Sequence, residues 1–259
     1  MLVVKKHVLP FLVIIVCLGM VTYAISLLPG QQDPDLLEHT INQEESYSEY
    51  SEDINKEFDF EVHLPDPAEE GINVEQALLQ RRSVRNYADR PLGVRQIGQL
   101  LWAAAGITDE EKGFRTTPSA GATYPLEFYV VSGNIDELPS GVFKYNNEDH
   151  ALYPVDDEDI RTDLFQAALR QAPVKQAPAL IIVSGVYERT TSRYGERGIR
   201  YVHMEAGHAA QNIYLQAESL GLGMVVIGAF DEDEVGEIVK MPDEEEPLYL
   251  IPVGYPGAD

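Results

Sequence analysis

Residues 71–259 of this chain are predicted to fold as one α+β domain, and three observations carry the prediction. Helical and extended patterns alternate along the segment without a regular βαβ rhythm. The run LEFYVVS at 126–132 is rich in aromatic and β-branched residues, as strands are. A long helical pattern over 200–220 is closed by Gly221 and Gly223 and has small residues at Ala206, Gly207, Ala209 and Ala210, which let a second helix approach closely.

Asn73 is a fair N-cap for the periodic stretch Val74, Ala77, Leu78. The segment 93–105 places Val94, Ile97, Leu100, Leu101 and Ala104 on one helical face and ends at Gly106. After the strand at 126–132, the runs 141–145 and 151–154 form a hairpin around Asn146 and Asn147. A helix is expected over 157–172 and a buried strand over 179–186. Beyond the long helix come a short strand at 224–228, an acidic-faced helix at 231–239 and a last strand at 248–253.

The first 70 residues have a different character. Residues 8–28 carry no charge, follow Lys5 and Lys6, and are long enough to cross a bilayer as a helix. Segment 1–30 is therefore expected to be a retained membrane anchor, with a cleaved signal peptide as the competing assignment. The lysines before it place the amino end inside and the remainder outside the cytoplasm. The only cysteine, Cys17, lies within this run, so no intrachain disulfide can form. Residues 31–70 hold 14 acids and one basic residue, a composition expected of a solvated, disordered tether.

Net charge is −24, and residues 71–259 hold 29 acids against 16 basic residues. That balance argues against nucleic acid as a partner. Against it stands QRRSVRNY at 80–87, where Arg81, Arg82 and Arg85 surround Ser83. Such a cluster needs an anion, either the protein's own carboxylates or the phosphate of a bound cofactor. Arginine suits phosphate because its planar fork donates two parallel hydrogen bonds, and a serine hydroxyl adds another.

Two further patterns bear on chemistry. Pro118, Ser119, Ala120, Gly121 and Ala122 have small side chains that would let backbone N–H groups reach a flat ring, or simply turn into the strand at 126. On the long helix, Tyr201, Glu205, His208 and Asn212 recur at four, three and four residues and share one face. His203 falls on the opposite side from Glu205, so no metal site is expected. His208 reads as an interface residue, and Asn212 as one that caps or bridges.

Together, RRSVRNY (81–87), TPSAGATYPLEFYVV (117–131), YGERGIRYVHMEAGHAAQNIYLQAESLGLG (194–223) and IPVGYP (251–256) resemble the nitroreductase-like flavoprotein superfamily. Within it they are most similar to the SagB-type dehydrogenase branch. The resemblance implies a mixed sheet flanked by helices and an intertwined homodimer with two FMN molecules at the interface. It assigns Arg81, Ser83 and Arg85 to the FMN phosphate and ribityl chain, with Arg82 at a more variable position. Pro118, Ser119, Ala120 and Gly121 would approach the ring near N5 or O4, walled by Tyr124 and Pro125. Ile227 and Gly228 would add backbone contacts.

The implied activity is hydride transfer through flavin between a reductant such as NAD(P)H and a small substrate, with Tyr201 as a substrate-facing proton donor. The alternative is a non-catalytic flavin- or small-molecule-binding module. Two departures from the family's pattern stand out. Arg200 occupies the place where azoline oxidases of the branch carry a lysine, and arginine stays protonated. The chain also ends after IPVGYP without the usual basic residues, so the phosphate would rely on Arg81, Arg82 and Arg85, or on Arg193 or Arg197.

Overall fold

The computed structural model describes residues 60–258. The apolar run at 8–28 and the tether as far as residue 59 lie outside them. Among the described residues, no helix is long and apolar enough to cross a membrane.

The core is a seven-stranded sheet. In chain order its strands are β1 (Val62–His63), β5 (Leu126–Ser132), β7 (Gly141–Asn146), β8 (Ala151–Asp156), β9 (Ala179–Gly185), β10 (Gly223–Met224) and β11 (Glu246–Gly254). In space they run β1-β8-β7-β5-β9-β11-β10. Every pairing in that sheet is antiparallel. A parallel bridge, Ser83 to Met224, is added at the β10 edge. Two small pairs lie outside: β2 (Leu92–Gly93) with β6 (Ile135–Asp136), and β3 (Ile107–Asp109) with β4 (Phe114–Arg115).

Both faces of the sheet are covered, which explains why its central strands are apolar at consecutive positions. Leu126, Phe128 and Val130 of β5, with Ile181 and Val183 of β9, pack under α2 (Val94–Ala105) and α6 (Arg197–Ser219). Their neighbours Tyr129, Val131, Leu180 and Ile182 face the opposite way. There they meet α3 (Arg161–Ala167), α4 (Ala172–Gln176) and α7 (Glu232–Val239) through Leu164, Val174, Val235 and Val239. The remaining helices are α1 (Val74–Gln80) and α5 (Glu188–Tyr194).

Four expectations need correction. The helix expected over 157–172 is two short ones, because Leu169 and Arg170 take positive φ and Pro173 starts a new turn. The strand expected at 224–228 pairs regularly only through Met224; beyond it Ile227 makes an isolated bridge to Leu250. Helix α5 was not anticipated. Finally, the ordered sheet begins ahead of residue 71: Val62 and His63 pair with Leu152 and Ala151, and Leu64 is buried.

Candidate functional site

The arginine segment leaves α1 as an extended strap along the β10 edge. Asn73 caps α1 by accepting from the Gln76 amide, as its sequence position implies. Ser83 then bridges Met224, and the Val84 amide donates to the Met224 carbonyl at 2.9 Å. Further along, the buried Tyr87 hydroxyl donates to the Val84 and Pro252 carbonyls, and its acidity is suppressed chiefly by that burial. The strap is thus fixed to both strands of the antiparallel β10–β11 pair.

Its side chains divide by role. Arg82 turns back on α1, donating to the Leu79, Gln80 and Arg81 carbonyls, so its guanidinium caps the helix end. Arg81 lies over the Tyr214 ring at 5.0 Å. Arg85 is exposed and makes no hydrogen bond or ion pair with a described residue. The Ser83 hydroxyl meets the Tyr214 hydroxyl at 2.9 Å, and that oxygen also accepts from the Val226 amide at 3.2 Å. Tyr214 therefore ties the arginine strap to the turn holding Ile227 and Gly228, two segments the sequence had linked only by resemblance. Nothing in the polar stripe pointed to Tyr214, which lies roughly 180° from Glu205 around α6 at 100° per residue.

The second region is the turn at 116–124. Gly121, Ala122 and Tyr124 all take positive φ, a costly conformation for the two non-glycine residues. Several anchors hold it. Asn212 donates to the Thr116 carbonyl and the Thr117 hydroxyl, which makes it a bridge. Ser119 Oγ accepts from the Tyr124 amide at 2.9 Å, and Thr123 meets Thr190 at 2.8 Å. Arg193 donates to the Gly121 carbonyl at 3.0 Å and Arg189 to the Tyr124 carbonyl at 3.1 Å. Arg115 lies 4.2 Å from the Tyr124 ring centroid, and burial lowers its basicity.

Glu205 shares the α6 face of Asn212 and is 5 % exposed. Burial raises its pKa to about 7, a rise opposed by the nearby Ser119, Ala120 and Arg115. Tyr201 is half-buried, edge-on to Tyr194 with ring centroids 5.2 Å apart. A Cβ on Gly121 would sit 2.5 Å from the Tyr194 hydroxyl, so Tyr201 reaches the turn through Tyr194. Arg189 continues into a buried ionic network: it pairs with Glu127 at 2.6 Å, Glu127 lies 3.7 Å from Lys144, and Lys144 pairs with Glu245. Of the two histidines on α6, His208 is exposed and His203 bonds the Tyr187 hydroxyl at 2.5 Å. Among the described residues no cluster of His, Cys, Asp or Glu is placed to hold a metal ion.

The two regions contact opposite sides of α6. Glu205 and Asn212, seven residues apart, share the face under the 116–124 turn; Tyr214 and Glu218, which accepts from the Arg82 amide, lie roughly 180–220° around from Glu205. A cleft of about 600 Å³ opens beside α5, lined by Tyr187, Thr191, Ile199, His203, Leu248 and Tyr249 among others. The Tyr249 ring also abuts Gly228, 3.7 Å from where its Cβ would be.

The strap fits a phosphate. It offers an uncommitted guanidinium at Arg85, a second at Arg81 backed by an aromatic face, and a serine hydroxyl. Ile227 and Gly228 follow on the same edge. The amides of Gly228 and Ala229 make no hydrogen bond to a described residue, so they are available to a planar polar ring.

Comparison with known proteins identifies the family. A nitroreductase bearing the designation MJ1384, from Methanocaldococcus jannaschii, is 50 % identical over 194 residues, covering 75 % of this chain and 96 % of that one. The microcin B17-processing protein McbC of Escherichia coli is 28 % identical over 167 residues, 60 % of each chain. A nitroreductase crystal structure from Ralstonia eutropha superposes with a TM-score of 0.68 at 26 % identity, covering 77 % of this chain and 90 % of that one. The family model described as "Nitroreductase family" matches residues 78–255. Spanning both the strap and the turn, that match shows that the chain belongs to the nitroreductase family, whose members are generally flavin-dependent oxidoreductases.

Proposed function

We propose that this protein is an FMN-dependent oxidoreductase of the SagB-type branch, taking reducing equivalents from NAD(P)H or another reductant and passing them to a small substrate. The observation that carries this reading is the junction at Tyr214. There the cationic strap at Arg81, Ser83 and Arg85 meets the Val226–Gly228 turn on one sheet edge. Arg81 and Arg85 would neutralise the phosphate, Ser83 would add a hydroxyl, and the amides at 228 and 229 would meet the ring. FMN bound there supplies reversible hydride chemistry. Around it the chain's own groups orient the ring and exclude water, and Tyr201 holds a proton for the substrate.

The site is completed, in this reading, by a second copy of the chain. Because the 116–124 turn and the strap lie on opposite sides of α6, one protomer's strap would be covered by its partner's turn. Exposed Val74, Leu78 and Leu79 on α1, with Ile199 and Met204 on α6, support a homodimer by offering apolar surface to bury. Attachment to the membrane through residues 8–28, with the folded domain outside the cytoplasm, is part of the same proposal; protease accessibility of the tether in intact cells tests it.

Purified protein should be yellow. Replacing Arg81 and Arg85 together by alanine should abolish flavin retention while the fold persists. A colourless protein that cannot be reconstituted with FMN refutes the proposal. Likeness to McbC favours a second reading, oxidation of a heterocycle in a peptide, but Arg200 in place of a base disfavours it. Rapid mixing with NADH or NADPH separates an enzyme from a passive flavin carrier, since a carrier's flavin would not bleach at a useful rate.

A further inference from the structure

Strain in the 116–124 turn rises toward its end. Gly121 adopts its φ of 64° freely, whereas Ala122, at 56°, carries the steric cost of a Cβ. Tyr124, at 42°, carries that cost and a second one, because it precedes Pro125, whose ring pushes the residue before it toward extended backbone. A residue so placed persists only where its neighbours fix it from several sides. The Tyr124 amide donates to Ser119 Oγ at 2.9 Å, its ring lies 4.2 Å from the Arg115 guanidinium, and its carbonyl accepts from Arg189 at 3.1 Å. Of these three partners, only Arg189 comes from outside the 115–124 segment. It stands on α5, whose Thr190 and Arg193 also hold Thr123 and the Gly121 carbonyl.

Arg189 is itself held. The terminal nitrogen that donates to Tyr124 also faces the buried Glu127 carboxylate on β5 at 2.6 Å. Glu127 lies 3.7 Å from Lys144 on β7, Lys144 pairs with Glu245, and Glu245 accepts from the Tyr129 and Ser184 hydroxyls at 2.9 and 2.7 Å. Two cations and two carboxylates thus join the strained carbonyl to three strands of the central sheet. We infer that Arg189 is the positioning residue of the turn: seated on Glu127, it locks Tyr124 and so sets the height at which the backbone of 118–121 meets the cofactor ring. The inference rests on the flavin reading above and adds to it a residue that acts through Tyr124 rather than by touching cofactor or substrate. Its size follows from the bond involved. A hydrogen bond to a charged group is worth about a factor of ten in an equilibrium, so without it the turn relaxes and only a fraction of molecules stays ready for the ring.

The test uses the full chain as purified. Amide hydrogen exchange at 121–124 and FMN titration followed by the visible flavin bands are measured in the parent, Arg189→Gln, Glu127→Gln and Leu164→Ala. In Arg189→Gln, exchange at 121–124 should be about tenfold faster, FMN should bind about tenfold more weakly and the flavin bands should shift. Glu127→Gln leaves the turn and Arg189 intact but weakens the seat, so it should move all three in the same direction by a smaller factor, about threefold. It also keeps the inference testable if Arg189→Gln folds poorly. Leu164→Ala, a core truncation on α3, should lower the melting midpoint while leaving affinity and bands alone. Unchanged exchange at 121–124 in Arg189→Gln overturns the inference. So does unchanged FMN affinity and spectrum in both Arg189→Gln and Glu127→Gln, or an equal shift in Leu164→Ala, which would make the effect one of stability alone. A chain that binds no flavin at all refutes the flavin reading instead, and the exchange measurement still decides whether Arg189 holds the turn.

Discussion

Replacing Tyr214 by phenylalanine tests whether the arginine strap and the Val226–Gly228 turn form one unit. The substitution removes a single oxygen and keeps the ring that Arg81 covers at 5.0 Å. That oxygen takes part in two hydrogen bonds, to the Ser83 hydroxyl at 2.9 Å and from the Val226 amide at 3.2 Å. Ser83 is exposed and water replaces its lost partner. Val226 is half-buried, so its amide is the costlier loss. One net hydrogen bond plus a partly unsatisfied amide amounts to about 1–2 kcal/mol. In a domain of this size, each kcal/mol moves the melting midpoint by about 2–4 °C, so a fall of about 2–8 °C is expected.

Flavin affinity is bounded by the same energy, because the unliganded protein can relax by no more than the tie was worth. The dissociation constant should therefore rise by no more than about 30-fold, the equivalent of 2 kcal/mol. Thermal melting of flavin-free protein and fluorescence titration with FMN measure the two effects separately. A variant as stable as the parent would refute the claim that Tyr214 joins the two segments. A stable variant with a much larger loss of affinity would show that the tyrosine hydroxyl touches the ligand directly.

Three other outcomes follow from the same geometry. Lys144→Met should destabilise the protein by about 3–5 kcal/mol, because it leaves Glu245 buried without its cation, while Glu127 keeps Arg189. Adding Glu245→Gln should recover much of that, and denaturant melts showing no recovery would contradict the argument. Since burial raises the Glu245 pKa, the folded state takes up its proton first, so the single variant's deficit should shrink as pH falls. Gly121→Ala should cost about 1–2 kcal/mol from its positive φ alone, and more from contact with the Tyr194 hydroxyl; Gly236→Ala, in open space on α7, should be neutral or stabilising in the same melts. His150 bonds the Pro65 carbonyl and Tyr145, and burial lowers its pKa. The unfolded chain then binds the proton more readily, so this contribution to stability is complete above about pH 6.5 and is lost on acidification. Denaturation at pH 8 and pH 5 should show a smaller acid-induced loss in His150→Gln than in the parent.

How much of this was legible in the sequence depends on how local the signal is. Strands β5 and β9 were evident because burial on both faces makes every position apolar, whatever lies above or below. Helix α6 was evident from its length and its closing glycines. The break after α3 was not, because Leu169 and Arg170 are ordinary helix formers, and only tertiary packing imposes their positive φ. Strand β1 was hidden by its acidic surroundings; two paired residues and one buried leucine do not alter a composition. At the candidate site, spacing put Glu205 and Asn212 on one face but could not name Thr117 as the partner of Asn212. Tyr214 carried no signal, since its importance comes from Ser83 and Val226, 131 and 12 residues distant.

Helix α6 has 23 residues and so spans about 34 Å at 1.5 Å per residue. It supports the strap on one side and the turn on the other. A packed helix moves as a body, so a sideways shift that presses Tyr214 toward Ser83 would draw Asn212 away from Thr117. In the proposed two-fold assembly each such helix would serve two cofactors, one along each flank. Loading one cofactor pocket would then be felt at its twin through a shared axle.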